Sequence, residues 1–189
     1  MSDLRTIERE SIRAFVQSAA DDGYLDGRVL DYGCGKQPYR DIVEAADGEY
    51  VGFDREFFPG NVSAEDIGSL DKESPEEGTG FNAILCTQVV QYIPMAEFPA
   101  GEFLSFLKWL IVDHGYLVMT YPTNWPEVEP EDLHRFTKAG MERLLTEAGF
   151  EIVRHEQRGR HIFFAVPGGH YLNHGRGEIA LGYGVIARA

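Results

Sequence analysis

The sequence predicts a three-layer αβα sandwich around a mostly parallel sheet. Three observations predict it. Short apolar runs alternate along the chain with segments of helical spacing. The stretch Arg28 to Arg40, RVLDYGCGKQPYR, reads as a buried strand, a glycine turn and the opening of a helix. Acids then stand where successive strands end, at Asp31, Asp54 and Asp66. In such sheets a ligand sits beyond the carboxyl ends of the strands.

The elements follow in order. Asp3 to about Ala20 places Leu4, Ile7, Ala14 and Phe15 at helical spacing, and Asp21-Asp22-Gly23 ends that helix. The first strand is Arg28 to Tyr32. Pro38 suits the first position of a helix, where its missing N–H costs nothing, and the helix runs through Ile42 and Val43 to Asp47-Gly48. Tyr50 to Asp54 is a second strand. Residues 57–80 read as irregular, with a short strand at Val62-Ser63-Ala64. Phe81 to Cys86 is a fourth, buried strand. Phe98 to Val112 reads as a helix, with the Phe103/Phe106 side and Trp109 facing the core. Gly115 leads into a fifth strand, Tyr116 to Tyr121, and a Pro-rich loop. Thr137 is the N-cap of a helix ended by Gly149. Ile152-Val153 begins a sixth strand, and Leu181 to Ala187 is the last.

One domain accounts for residues 1–189: an N-terminal helix at 1–22, a substrate-side loop at 122–136 and a variable insertion at 159–180. The net charge of −14 repels phosphate backbones, so nucleic acid is not an expected partner. The longest apolar run is too short to span a bilayer, and the charged N-terminus has no signal-peptide core. Two cysteines without a C-x-x-C pattern fit a reducing compartment, so a cytoplasmic location is expected.

The turn itself separates ligand classes. A dinucleotide turn uses Gly-x-Gly-x-x-Gly and aims helix N–H groups at a pyrophosphate. Here the sixth position is Pro38, which has no N–H, and Asp31 repels a pyrophosphate but attracts an ammonium. Both features favour a cationic, phosphate-free nucleoside. Asp31, Asp54 and Asp66 are placed to hold an amino group, a ribose diol and an adenine amine in turn, with Ile67 against the ring.

These residues resemble class I S-adenosylmethionine-dependent methyltransferases, and within them the type 11 domain group. The resemblance rests on VLDYGCG, VGFD, FNAILCTQVVQYIP, the turn Gly33-Cys34-Gly35-Lys36-Gln37-Pro38-Tyr39-Arg40, and Arg135-Phe136-Thr137 leading into GMERLLTEAGFEIV. It implies a Rossmann-like, seven-stranded, mostly parallel sheet whose last strand is antiparallel. It implies S-adenosyl-L-methionine as cofactor and S-adenosyl-L-homocysteine as product. Cofactor contacts would come from Asp31, Gly33, Cys34, Gly35, Asp54, Arg55, Asp66, Ile67, Cys86, Thr87 and Gln88. The departures from the family pattern (Asn82, Gln91-Tyr92 and Glu131) fall mostly on the substrate side.

Methyl transfer from a sulfonium needs positioning, and a base only where the acceptor carries a proton to lose. The loop after the fifth strand offers Tyr121, Glu131, Asp132 and His134, with Trp125 as a substrate lid. Cys34 and Cys86 are expected to be small buried residues. His161, His170 and His174 are expected to be solvated loop residues, with no metal site. The expected activity is methyl transfer to an oxygen or nitrogen of a small-molecule or sugar-like acceptor, by a monomer or homodimer without a membrane partner. The competing expectations are a regulatory protein that binds the cofactor without turnover, and a dinucleotide oxidoreductase.

Overall fold

The computed structural model describes residues 4–55, 61–62, 80–94, 99–126, 132–160 and 180–189. Helix α1 (Leu4–Asp21) leads into strand β1 (Arg28–Tyr32), helix α2 (Arg40–Ala45), β2 (Glu49–Phe53) and β3 (Asn61–Val62). β4 (Phe81–Thr87), a 3-10 turn (Val90–Tyr92), α3 (Ala100–Leu110) and β5 (Ile111–Pro122) follow. The chain closes with α4 (Lys138–Glu147), β6 (Glu151–Arg160) and β7 (Ala180–Arg188). The strands lie in the order β3-β2-β1-β4-β5-β7-β6. β1 to β5 pair in parallel, and β7 runs antiparallel to both β5 and β6, so the sheet is mixed. β3 contributes only a two-residue pairing, and every other strand is at least five residues long.

Alternation along the strands feeds one apolar cluster on each face of the sheet. On one face Val29, Ala83, Leu85, Val118 and Ile186 pack beneath Ile12, Phe15, Val16 and Ala19 of α1 and Ile42 and Val43 of α2. On the other face Leu30, Ile84, Cys86, Leu117, Met119 and Val185 pack against α3 and α4 through Phe103, Leu104, Leu107, Met141 and Leu145. Thr137 caps α4 by accepting from the Gly140 N–H, and Gly149, at φ +86°, ends it.

Several expectations need correction. Trp109 is 44% exposed, because the buried stripe of α3 is Phe103, Leu104, Leu107 and Leu110 and position 109 falls off it. Likewise Ala14 is exposed, while Ile12, Phe15, Val16, Ala19 and Ala20 are buried. Pro38 does not open α2: Tyr39 is its N-cap, and Gln37 (φ +59°) turns the chain just before. Helix α3 stops at Leu110, because Ile111 already pairs with Phe81 at the start of β5. A continuous apolar run reads alike as helix or buried strand, so this boundary is invisible to periodicity. The slack is absorbed at His114 (φ +67°) and at Gly115, where a Cβ would lie 2.6 Å from the Asn82 carbonyl. β3 is Asn61–Val62, and Ser63-Ala64 lie outside the described residues. Of the insertion expected at 159–180, the ends belong to β6 and β7 and positions 161–179 lie outside the described residues.

Helix α1 is seated by Phe15, whose ring lies flat on Gly184 of β7. A Cβ at Gly184 would come within 2.5 Å of that ring. Gly184→Ala is therefore expected to lower stability by about 1–3 kcal/mol, the cost of overpacking. Urea unfolding checks this through a lower midpoint at unchanged slope. Phe15→Leu in the same chain is expected to recover part of the loss.

Candidate active site

The glycine turn is held by backbone. The N–H groups of Gly33 and Cys34 both donate to the Phe53 carbonyl, at 2.7 and 3.0 Å. The Gly35 N–H donates to Asp54 Oδ2 at 2.7 Å. The end of β2 thus clamps the turn after β1, with Asp54 bonded to the turn itself. Gly33 and Gly35 have φ of +78° and +51°, which a side chain would strain. A Cβ at Gly33 would strike Val89 Cγ2 at 2.3 Å, so the exit of β4 packs directly on the turn. A Cβ at Gly35 would meet nothing within 4 Å.

Asp31 is fully buried on the α1–α2 face. The Tyr50 hydroxyl donates to its Oδ2 at 2.6 Å, and its Oδ1 has no hydrogen-bond partner among the described residues. Burial first, and then the nearby Asp54, push its carboxyl up to about 7, against the opposing Tyr50 hydrogen bond. The Cys34 thiol lies in the same buried group and is pushed up to about 12 by burial, with Asp31 and Asp54 adding to the shift. Burial raises Tyr50 well above its usual range, reinforced by Asp31.

At the β4 exit, Thr87 is buried and shares a hydrogen bond with the Tyr39 phenol. Gln88 takes φ +56°, an uncommon conformation for a residue with a side chain. It is held there because its N–H donates to Thr120 O, its Nε2 to Thr120 Oγ1, and its carbonyl accepts from Gln91 Nε2. Cys86 points away from the exit into the α3 core, so only its backbone is available there. Arg55 is exposed beside Asp54. Asp66, Ile67 and Glu131 lie outside the described residues.

Beyond β5, Trp125, Asp132, Leu133, His134 and Arg135 line a cavity of about 340 Å³. Arg135 braces its wall. It pairs with buried Asp132 through both terminal nitrogens and donates to the His134 and Trp125 carbonyls at 2.9 and 3.2 Å. The N–H groups of Leu133 and His134 tie the loop to the Gln91 carbonyl. His134 Nε2 is buried and has no hydrogen-bond partner among the described residues. Tyr121 does not join this group. Its phenol is 2.7 Å from His155 Nε2, and His155 Nδ1 is 3.0 Å from Glu142, on the α4 side of the sheet. A residue expected to serve the acceptor is part of a phenol–imidazole–carboxylate chain whose phenol and imidazole are buried and whose carboxylate is partly exposed.

Sequence reasoning missed Tyr39, Tyr50, the Asp132–Arg135 brace, and a buried pair of Glu8 on α1 with Arg158 on β6. Tyr39 lies within the recognised turn motif and Tyr50 directly precedes VGFD, so both carried a positional signal. Arg158 sits in a run of polar residues, which reads as a solvated edge. Among the described residues no helix is long and apolar enough to cross a membrane, and no three His, Cys, Asp or Glu side chains gather as a metal-binding group.

The arrangement offers a carboxylate under a glycine turn, a second carboxylate at the neighbouring strand end, and a cavity past β5. Comparison with known proteins gives a consistent picture. Residues 4–155 match the family model described as a methyltransferase domain. A search of curated proteins finds no match. Among solved structures, an S-adenosylmethionine-dependent methyltransferase from Archaeoglobus fulgidus is similar at 18% identity and a TM-score of 0.65, covering 99% of this chain and 100% of that one. A 1,6-didemethyltoxoflavin-N1-methyltransferase from Burkholderia thailandensis, solved with 1,6-didemethyltoxoflavin and S-adenosylhomocysteine, is similar at 18% identity and a TM-score of 0.62, covering 98% of this chain and 80% of that one. The [4+2]-cyclase SpnF is similar at 20% identity and a TM-score of 0.53, covering 76% of this chain and 58% of that one. With the family match running from α1 into β6, the chain belongs to the methyltransferase domain family.

Proposed function

We propose that the protein is an S-adenosylmethionine-dependent methyltransferase (EC 2.1.1.-) of the type 11 group. It transfers the methyl group to an oxygen or nitrogen of a small-molecule or sugar-like acceptor. The observation that carries this reading is the turn at Gly33–Gly35, open above Gly35 and set over the buried carboxylate of Asp31 with its unpartnered Oδ1. A buried acceptor without a donor costs free energy, and a ligand ammonium would satisfy it. A methyltransferase of the same fold, solved with S-adenosylhomocysteine and a small acceptor, supports the ligand class.

The residues present fit the cofactor. Asp31 complements its ammonium, the backbone from Gly33 to Gly35 lets it approach closely, and Asp54 accepts from the ribose hydroxyls. Arg55 stands beside Asp54. Asp66 and Ile67 are assigned to the adenine. Thr87, Gln88 and the Cys86 backbone line the β4 exit. The bound cofactor supplies a methyl group already activated by its positive sulfur. The protein then has to bring the acceptor into line and exclude water. Trp125 and Leu133 supply apolar walls for that. His134, with Nε2 unpartnered, is the group we assign to take a proton from the acceptor, with Glu131 of the same loop as second candidate. The two buried free cysteines suit a reducing, cytoplasmic setting.

S-adenosylhomocysteine is expected to raise the melting temperature of the wild type. Asp54→Asn is expected to lose most of that shift. An asparagine oxygen still accepts from the Gly35 N–H, so the variant keeps the turn and removes the charge. An unshifted wild type at millimolar ligand would sink the cofactor assignment.

Asp31 gives a pH dependence of known sign. In the folded, unliganded protein its carboxyl is raised to about 7 from 3.8. Its contribution to stability is therefore lost as pH rises between those values. Ligand binding goes the other way, because an ammonium prefers the ionised carboxylate. S-adenosylhomocysteine affinity is expected to rise about tenfold between pH 6 and pH 8, and Asp31→Asn to flatten that rise. Isothermal titration calorimetry across that range checks both, and a flat wild-type profile contradicts the assignment of Asp31.

A further inference from the structure

We propose that Arg158 is an acceptor-binding residue, and that the acceptor carries a carboxylate which takes the place of Glu8 on its guanidinium. This rests on the methyltransferase reading and names the acceptor class.

Arg158 projects from β6 toward α1 and is 3% exposed. Its Nη1 donates to Ser11 Oγ at 3.0 Å. Its Nε and Nη2 are buried and have no hydrogen-bond partner among the described residues. Those two nitrogens form one edge of the guanidinium, the edge whose parallel N–H groups match the two oxygens of a carboxylate. Glu8 of α1 faces Nη2, but its Oε1 stands 3.6 Å away and is also without a hydrogen bond. At 3.6 Å both partners bear the desolvation of a buried ion pair with at best a long, weak contact between them, an arrangement that stabilises little. Burial raises the Glu8 carboxyl and lowers the Arg158 guanidinium.

The position is that of an acceptor subsite. Arg158 is in register with Gly182, and Gly182 with Pro122, so the row crosses the carboxyl end of β5. The guanidinium lies over Gly182, where a Cβ would come within 2.4 Å of Nη2. That glycine leaves the space which brings the fork to the end of the sheet. The charges that Glu8 senses are Arg158, Arg135 and Asp132, so the pair stands between α1 and the wall of the cavity after β5. Tyr39, bonded to Thr87 at the β4 exit, senses both Arg158 and Glu8.

The chemistry favours a monoanion. Arg135 is already engaged by Asp132, and Arg154, which also leaves Nε and Nη2 without a hydrogen bond, is held through Nη1 by Asp22 and pairs in register with Ile186, away from the strand end. Arg158 is the open edge near the end of the sheet, with Glu8 beside it. A dianionic phosphate would meet that carboxylate with a single cation. A carboxylate carries one charge and the matching planar fork. Glu8 is then a stand-in for the acceptor, held by α1 over the site when no acceptor is bound.

The test uses benzoate and its neutral isostere benzamide on the full chain, with binding followed by calorimetry in the presence and absence of saturating S-adenosylhomocysteine. The wild type is expected to bind benzoate about tenfold or more tighter than benzamide, as a charge-assisted bidentate contact predicts. Arg158→Lys keeps the charge but loses the fork, and is expected to erase that preference. Glu8→Gln removes the competing carboxylate and is expected to tighten benzoate severalfold. Retained S-adenosylhomocysteine binding shows that each variant is folded. Equal affinity for benzoate and benzamide, no benzoate binding, an Arg158→Lys variant that keeps the preference, or a Glu8→Gln variant with unchanged benzoate affinity would each overturn the proposal. A wild type that selects benzoate but does not bind S-adenosylhomocysteine sinks the methyltransferase reading while leaving the anion site standing.

Discussion

Three backbone N–H groups, those of Gly33, Cys34 and Gly35, fix the geometry on which the site depends. They reach across to the last carbonyl of β2 and the first carboxylate beyond it. The turn after β1 therefore cannot move without β2, and the strand-end acids Asp31 and Asp54 are held at a set spacing. The constraint propagates outward. The Pro38 carbonyl, just past the turn, accepts from Arg13 of α1 at 2.8 Å, and Arg13 also pairs with Asp41 of α2. These contacts are exposed and contribute little stability each. What they add is registration: α1 is aligned on the turn as well as on the sheet, through Phe15 on Gly184. The helix that carries Glu8 is thereby placed over the exits of the strands.

How much of this the sequence discloses depends on whether the cause is local. The βα unit at Arg28–Arg40, the Thr137 cap and the Gly149 stop follow from residue type and spacing, and the structure has them in place. The junction at Leu110–Ile111 was not legible, because only the pairing of Ile111 with Phe81 decides between helix and strand. Trp109 was misread because a large aromatic in an apolar helix suggests the core, while a single step of 100° decides its face. Tyr121 was misread for a related reason. Its place at the end of β5 is local, but the partner of its phenol, His155, arrives from β6. The Glu8–Arg158 pair joins residues 150 positions apart in two polar stretches, and nothing local marks either as buried.

The site also shows where the sequence and the fold pull against each other. Some buried polar groups here are paired, as at Asp132 with Arg135 and Thr87 with Tyr39. Asp31 Oδ1, His134 Nε2 and the open edge of Arg158 are among the buried groups left without a hydrogen bond. All three stand near the carboxyl ends of the strands. Unpaired buried groups reduce stability, and those at the strand exits are where a ligand could satisfy them; Arg154, mid-strand on β6, also leaves two nitrogens unpartnered. The strained Gln88 belongs with them, since its left-handed backbone is over-determined by three hydrogen bonds at the β4 exit.

The signs of these groups bear on the reaction. A sulfonium donor brings one positive charge at the sulfur and another on its ammonium. In the proposed complex Asp31 complements the ammonium, and the sulfur becomes neutral once the methyl group has left. A carboxylate on the acceptor would be drawn to that sulfur in a low-dielectric cavity, and would compete with the intended nucleophile for the methyl group. An Arg158 that bound the carboxylate as proposed above would remove that competition. Its bidentate edge would screen the charge from the donor and leave the other end of the acceptor free for the methyl group. The guanidinium would then do more than bind: it would bias which atom of the acceptor is methylated.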